Sequence, residues 1–241
     1  MHEISKIYNS EIQRKMKNEK KEEKHDTASE SVTGCIRCGT CCLKGGPALH
    51  KEDKDILLEG HIIRERLITI RKGELAFSPL SGKLEPIKKE LVKVAGKGKR
   101  WSCCFYDTDK AACTIYSRKP LECRLLKCWD TEELLSVIGK GTLARVDILD
   151  PDDPVMKYIE AHETECSLER VEDVISILLK KKDDPVALAR LSAVIQEDLA
   201  IRSRAVAEFG ISLETELFLF GRPLFKILNA RGLQGIDFMT K

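Results

Sequence analysis

Apolar residues recur at helical spacing through the second half of the chain. Val171, Val174, Ile175 and Leu178 stand at i, i+3, i+4 and i+7 after Ser167. This spacing forms one apolar face on a helix, and serine is a favoured residue at a helix start. The pattern therefore predicts an amphipathic helix that begins near Ser167.

A longer helix is predicted to begin at Asp184-Pro185, because proline is favoured at the first helical position, and to end at Gly210. Its apolar face is formed by Leu188, Leu191, Ile195 and Leu199. The last apolar segment, 213–228, is broken by Gly221 and Pro223. We expect it to pack under the two preceding helices.

The first half of the chain has a mixed pattern. Aliphatic residues among charges from Asp53 to Arg71 predict one helix that Gly60 interrupts. Two β-forming runs, 101–106 and 112–116, flank a polar turn and predict a short hairpin. This hairpin would bring Cys104 near Cys113.

Composition limits the kinds of partner. Lys and Arg total 41 against 39 Asp and Glu, a net charge of +2, and 5% of residues are aromatic. Nucleic-acid binding favours a basic excess and aromatic stacking platforms, so a nucleic-acid partner is not expected. No apolar run approaches the roughly 18 residues of a membrane span, and the N-terminus shows no secretory signal. We expect a cytoplasmic protein with no membrane partner.

Cysteines carry the strongest chemical signal. Eight of the ten form two groups, which are Cys35, Cys38, Cys41 and Cys42, and then Cys104, Cys113, Cys123 and Cys128. Disulfides are rare in reducing compartments, so we interpret these eight residues as metal ligands. The bound group would be zinc or an iron-sulfur cluster, and the spacing does not choose between them. Disulfides or a redox relay remain alternatives.

The two cysteine groups can form one site or two adjoining sites. The spacing of Cys35, Cys38 and Cys41 matches the local arrangement that gives bacterial ferredoxins three thiolates for one four-iron cluster. Cys42 departs from that arrangement, because side chains on consecutive residues usually diverge. Its adjacency favours two neighbouring sites or one spare thiol.

The remaining candidates are weaker. A lone histidine in a loop is seldom a ligand, so His50 is only a minor candidate. Cys103 and Cys166 are interpreted as ordinary thiols. Phosphate-loop, dinucleotide-binding, nucleophile-elbow and radical-SAM motifs are missing from the sequence.

These patterns predict an α+β fold, in which a small cysteine-cluster core with a short β-hairpin packs against a mainly helical C-terminal half. Seven basic and seven acidic side chains crowd the first thirty residues, a composition typical of disorder. We expect a disordered extension over 1–33, a metal-binding domain over 34–130 and a helical region over 131–241.

Two segments carry a family resemblance. The run from Cys35 to Cys42 reads C-I-R-C-G-T-C-C, and the run from Cys113 to Arg124 reads C-T-I-Y-S-R-K-P-L-E-C-R. The chain resembles the YkgJ-like cysteine cluster family, described as zinc- or iron-chelating, from Cys35 to Cys128. Lys119 replaces the family's arginine before the proline. The resemblance also implies that Cys104, rather than Cys103, is the ligand.

The resemblance leaves an enzymatic alternative open. The cluster is also similar to that of flagellin lysine N-methylase, which is thought to use an iron-sulfur centre and S-adenosylmethionine. The basic run from Lys83 to Arg100 would then line a cofactor pocket. No methyl-donor loop or general base is recognisable, so a metal-binding protein is the preferred interpretation. Redox sensing and metal handling both suit it.

Overall fold

The computed structural model describes residue 35 and residues 37–233. The predicted extension over 1–33 lies outside the described residues. The α-helices of the described part are α1 (Thr40–Leu43), α2 (Lys54–Leu58), α3 (Leu121–Leu125), α4 (Glu132–Val137), α5 (Met156–Glu165), α6 (Leu168–Lys180), α7 (Pro185–Phe209), α8 (Leu213–Phe220) and α9 (Leu224–Ala230). None of these helices is long and apolar enough to cross a membrane.

The strands are short. They are β1 (Leu67–Ile70), β2 (Leu75–Ser78), β3 (Lys83–Pro86), β4 (Leu91–Val94), β5 (Gly96–Lys97), β6 (Ser102–Cys103), β7 (Tyr106–Asp107) and β8 (Ala112–Cys113). Four antiparallel pairs result, namely β1 with β4, β2 with β3, β5 with β6 and β7 with β8. Together with the helical second half, they confirm the predicted α+β fold.

The predicted hairpin is present in a shortened form. Its paired residues are Tyr106 with Cys113 and Asp107 with Ala112. The first predicted strand is divided, because Ser102 and Cys103 pair instead with β5. Two neighbouring two-residue ladders therefore replace one longer hairpin.

The single interrupted helix predicted from Asp53 to Arg71 is wrong in its second part. Helix α2 ends at Leu58, and Gly60 has a left-handed φ of 73°. Residues 67–70 form strand β1 instead, and all four of them are buried. A strand that is buried on both faces shows no alternation of apolar and polar residues, so periodicity does not identify it.

The predicted C-terminal helices are confirmed. Helix α6 contains the whole predicted apolar face. Helix α7 begins at Pro185, where the side chain of Asp184 accepts a hydrogen bond from the Ala187 N–H at 3.0 Å, and Gly210 ends it with a φ of 62°. The last apolar segment divides into α8 and α9 around Gly221.

Both halves of the chain contribute to the main core. Leu67 and Val92 from the strands pack in one cluster with Ile159 of α5 and Phe218 of α8. A second core lies between α6, α7 and α9. The helical half thus supports the segment that carries the cysteines, and a domain boundary at residue 130 stays a prediction.

Candidate metal centre

Cysteines of both groups line one cavity of about 240 Å³. The thiols around it belong to Cys35, Cys41, Cys42, Cys103, Cys113, Cys123 and Cys128. Six of these belong to the eight residues predicted as ligands. The rest of the lining is mainly apolar and includes Val94, Phe105, Ile115, Leu126, Leu134 and Ile138. Segments distant in sequence therefore meet at one thiol-rich, largely apolar cavity.

The first group depends on a glycine. Gly39 precedes α1 with a left-handed φ of 77°, and a Cβ at this position would lie 2.0 Å from the phenol oxygen of Tyr106. Only glycine adopts this backbone beside that ring without strain. Helix α1 then carries Cys41 and Cys42, whose sulfurs lie 3.9 Å apart. Both line the cavity, although they are adjacent in sequence.

The second group reaches the cavity from three different elements. Cys113 lies on β8, Cys123 lies on α3, and Cys128 follows α3. Burial raises the pKa of the Cys123 thiol, and the nearby thiols of Cys103 and Cys41 raise it further. Neighbouring thiols have this effect because each would add a like charge.

The adjacent residues Cys103 and Cys104 have different surroundings. Cys103 is buried and lines the cavity, whereas the sulfur of Cys104 lies 4.0 Å from the Arg66 carbonyl oxygen, and Cys104 does not line the cavity. A hydrogen bond between the two thiols raises the pKa of Cys103 and lowers the pKa of Cys104. Cys103 is the last residue of β6, and Cys104 follows that strand. Their adjacency in the sequence does not show which of the two lines the cavity.

Cys38 and Cys166 lie apart from the lining. The Cys38 sulfur is exposed, and its hydrogen bond to the Thr40 hydroxyl, at 3.3 Å, lowers the pKa of Cys38. Burial raises the pKa of the Cys128 thiol, and the nearby thiols of Cys41 and Cys38 raise it further. Cys166 is fully buried in the core.

The chemistry of the donor set suits a thiophilic metal. All the cysteines of the described part are free thiols. Burial, followed by the neighbouring Cys41, raises the pKa of Cys42 to about 12. Crowded thiols of this kind stay protonated until a cation stabilises their thiolates, and binding then releases protons. Within residues 35 and 37–233, however, no three His, Cys, Asp or Glu side chains surround one point closely enough to hold an ion.

Two cations stack on an aromatic ring beside the cavity. The Lys119 ammonium lies 4.4 Å from the centre of the Tyr116 ring, and the Arg37 guanidinium carbon lies 4.6 Å from it. Lys119 and Tyr116 also line the cavity. Positive charge at this edge would stabilise thiolates inside. Lysine thus keeps a charge at the position where the family carries arginine.

His50 and the basic run are placed elsewhere. His50 is 1% exposed and does not line the cavity. Its Nδ1 lies 2.9 Å from the Lys140 carbonyl oxygen, and its Nε2 lies 3.3 Å from Glu122 Oε1. Both ring nitrogens are therefore engaged. No lysine or arginine of the run 83–100 lines the cavity.

Comparison with known proteins agrees with this geometry. Residues 34–139 match the family model CxxCxxCC, described as "Putative zinc- or iron-chelating domain". This match covers slightly less than half of the chain, and it confirms the predicted resemblance to this family. No curated protein and no solved structure matches the chain.

Proposed function

We propose that the protein binds a metal centre in the cysteine-lined cavity, through thiolates of both cysteine groups. The observation that carries this proposal is the convergence of seven thiols, from segments distant in sequence, on one cavity. The CxxCxxCC match of residues 34–139 supports the same chemistry. Metal binding in the reducing cytoplasm is consistent with the free thiols of the described residues.

An iron-sulfur cluster suits the cavity better than a single zinc ion. A zinc ion with four thiolates holds its sulfurs about 3.8 Å apart, because each Zn–S bond is about 2.3 Å long. The sulfurs of Cys41 and Cys42 reach that separation, at 3.9 Å, but no three His, Cys, Asp or Glu side chains of the described residues form such a compact set. A four-iron cluster binds each thiolate to a different iron, so it needs a wider arrangement and more room. The cavity of about 240 Å³ supplies that room.

The test is the metal content of full-length protein purified without air. We expect iron and acid-labile sulfide, with a visible absorption band that bleaches on reduction. A colourless protein with stoichiometric zinc would show that the bound group is zinc rather than an iron-sulfur cluster. A folded protein that binds neither metal would contradict the proposal.

Two single substitutions, Cys42→Ser and Cys123→Ser, should each lower the metal content sharply. Cys166→Ser is the matched control, because that cysteine lies in the core away from the cavity. Its metal content should equal that of the unmodified protein. Equal losses in all three variants would indicate damage to folding rather than loss of ligands.

The adjacent residues Cys103 and Cys104 allow a more specific comparison. Because Cys103 lines the cavity and Cys104 does not, we propose Cys103 as a ligand in addition to the eight predicted residues. Cys103→Ser should remove more metal than Cys104→Ser. The reverse order would favour the assignment that the family resemblance implies. The assignment of Cys38 and Cys104 as ligands stays a prediction, because a metal centre at the edge of the cavity can also bind thiols outside the lining.

The methylase alternative gains no support from the described residues. The basic run that was expected to line a cofactor pocket contributes no charged residue to the cavity. Metal handling or redox sensing therefore remains the proposed role, and the reaction stays unassigned.

A further inference from the structure

The element that carries Cys123 is too short to be stable alone. Helix α3 has five residues, Leu121–Leu125, and isolated helices shorter than about 12 residues are marginal in water. Its position must therefore be set by contacts with the rest of the fold. Two carboxylates provide these contacts, Asp53 from a distant loop and Glu122 from the helix itself.

Asp53 joins the start of this helix to the loop that follows the first cysteine group. Its side chain is completely buried. One oxygen accepts the Leu121 N–H at 2.8 Å, and the other accepts the His50 N–H at 3.0 Å. The first N–H groups of a helix lack partners within the helix, so a carboxylate is well placed there. Arg124 of the same helix lies 3.5 Å from Asp53 Oδ1.

Glu122 makes the reciprocal connection. Its Oε2 accepts the Ala48 N–H at 2.8 Å, and its Oε1 lies 3.3 Å from His50 Nε2. The other ring nitrogen of His50 faces the Lys140 carbonyl oxygen. The histidine thus ties the Glu122 side chain to the segment that follows α4.

The loop that contains Ala48 and His50 is itself anchored to the rest of the fold. Leu49 is fully buried, its N–H donates to the Val92 carbonyl oxygen at 2.9 Å, and its own carbonyl accepts the Leu143 N–H at 2.8 Å. The loop begins a few residues after Cys42, which ends the first cysteine group. Bonds from this loop to α3 therefore set the separation of the two cysteine groups.

We propose that Asp53, Glu122 and His50 are positioning residues that hold Cys123 at the cavity before the metal binds. This inference rests on the proposed metal-binding function. Glu122 also lines the cavity, but its two oxygens contact the Ala48 N–H and His50 Nε2, so we assign it to act through Cys123 rather than on the metal. Ligands that are already in place lose less conformational freedom when they bind. Supporting hydrogen bonds of this kind typically change metal affinity by about 10- to 100-fold.

The experiment uses two substitutions of similar size, Asp53→Asn and Glu122→Met. The first turns an NH₂ group toward a donor, and the second removes both accepting oxygens. The control is Glu133→Gln on the neighbouring helix α4, where the half-exposed carboxylate pairs with Lys127. Full-length proteins purified without air are exposed to excess chelator, and the remaining metal is measured over time. We expect both variants to lose metal about 10- to 100-fold faster than the control.

A second readout does not require metal. In metal-free protein, the alkylation rate of Cys123 relative to exposed Cys38 should rise at least severalfold in both variants and stay unchanged in the control. Normal metal retention would overturn the proposal even if the melting temperature falls, because the contacts would then support the fold alone. If the unmodified protein binds no metal, the proposed function fails, and the alkylation ratio by itself decides whether these residues position Cys123.

Discussion

The carboxylate of Asp198 is a fully buried polar group whose removal should destabilise the protein. It is completely buried on α7 and receives hydrogen bonds from His162 Nε2, from Arg202 Nε at 3.0 Å and from the Leu224 N–H at 3.1 Å. These donors lie on α5, α7 and α9. We predict that Asp198→Asn destabilises the helical half, because the amide keeps one accepting oxygen and turns an NH₂ group toward a donor.

The size of the effect follows from these contacts. A lost hydrogen bond to a charged group costs about 1.5–3 kcal/mol, and breaking a buried ion pair costs about 3–5 kcal/mol. Arg202 keeps a second carboxylate partner, Glu216, at 3.0 Å. We therefore expect the lower end of the second range, a loss of about 3 kcal/mol in the free energy of unfolding.

Urea denaturation followed by circular dichroism measures this loss. The matched control is Asp173→Asn on α6, where an exposed carboxylate pairs with Arg190 at 3.0 Å, and it should not change the midpoint measurably. A loss below about 1 kcal/mol for Asp198→Asn, with an unchanged slope, would refute the reasoning, because it would show that the cluster's bonds contribute no more than surface pairs do.

Two further predictions concern the backbone and acid stability. Gly221 combines φ 67° with ψ −163°, and a Cβ there would lie 2.8 Å from a backbone oxygen of β1. Gly221→Ala should lower the free energy of unfolding by about 3 kcal/mol. Gly210→Ala should lower it by about 1 kcal/mol, because Gly210 has φ 62° but open space around it. Equal urea midpoints for the two variants would contradict this prediction. Although burial opposes it, the nearby His162 side chain helps to lower the pKa of both Glu163 and Asp198. In the unfolded protein these carboxyl groups titrate near pH 4, so their full contribution to stability should be present above about pH 4. It should fall as the pH drops toward their lower pKa values in the folded protein. A melting temperature that stays constant over this pH range would refute the prediction.

Local signals in the sequence determined the helical half. The start of α7 at Asp184-Pro185 and its end at Gly210 depend on hydrogen bonds and backbone angles within a few residues. The cysteine motif is also recognised from local spacing, although Cys38 lies outside the cavity that Cys35 and Cys41 line. The class of bound group, a thiophilic metal, follows from residue type and spacing.

Tertiary structure alone decided the strands and the details of the cavity. Residues 67–70 became a strand because they pair with β4, and because Leu67 packs in one core cluster while Ile68 and Ile70 pack in another. No local periodicity records burial on two sides. The choice of Cys103 rather than Cys104 for the cavity depends on how β6 pairs with β5. The contacts of Asp53 and Glu122 join loops about seventy residues apart. Pairings of this kind are set by the packing of the whole chain, so spacing along the sequence does not reveal them.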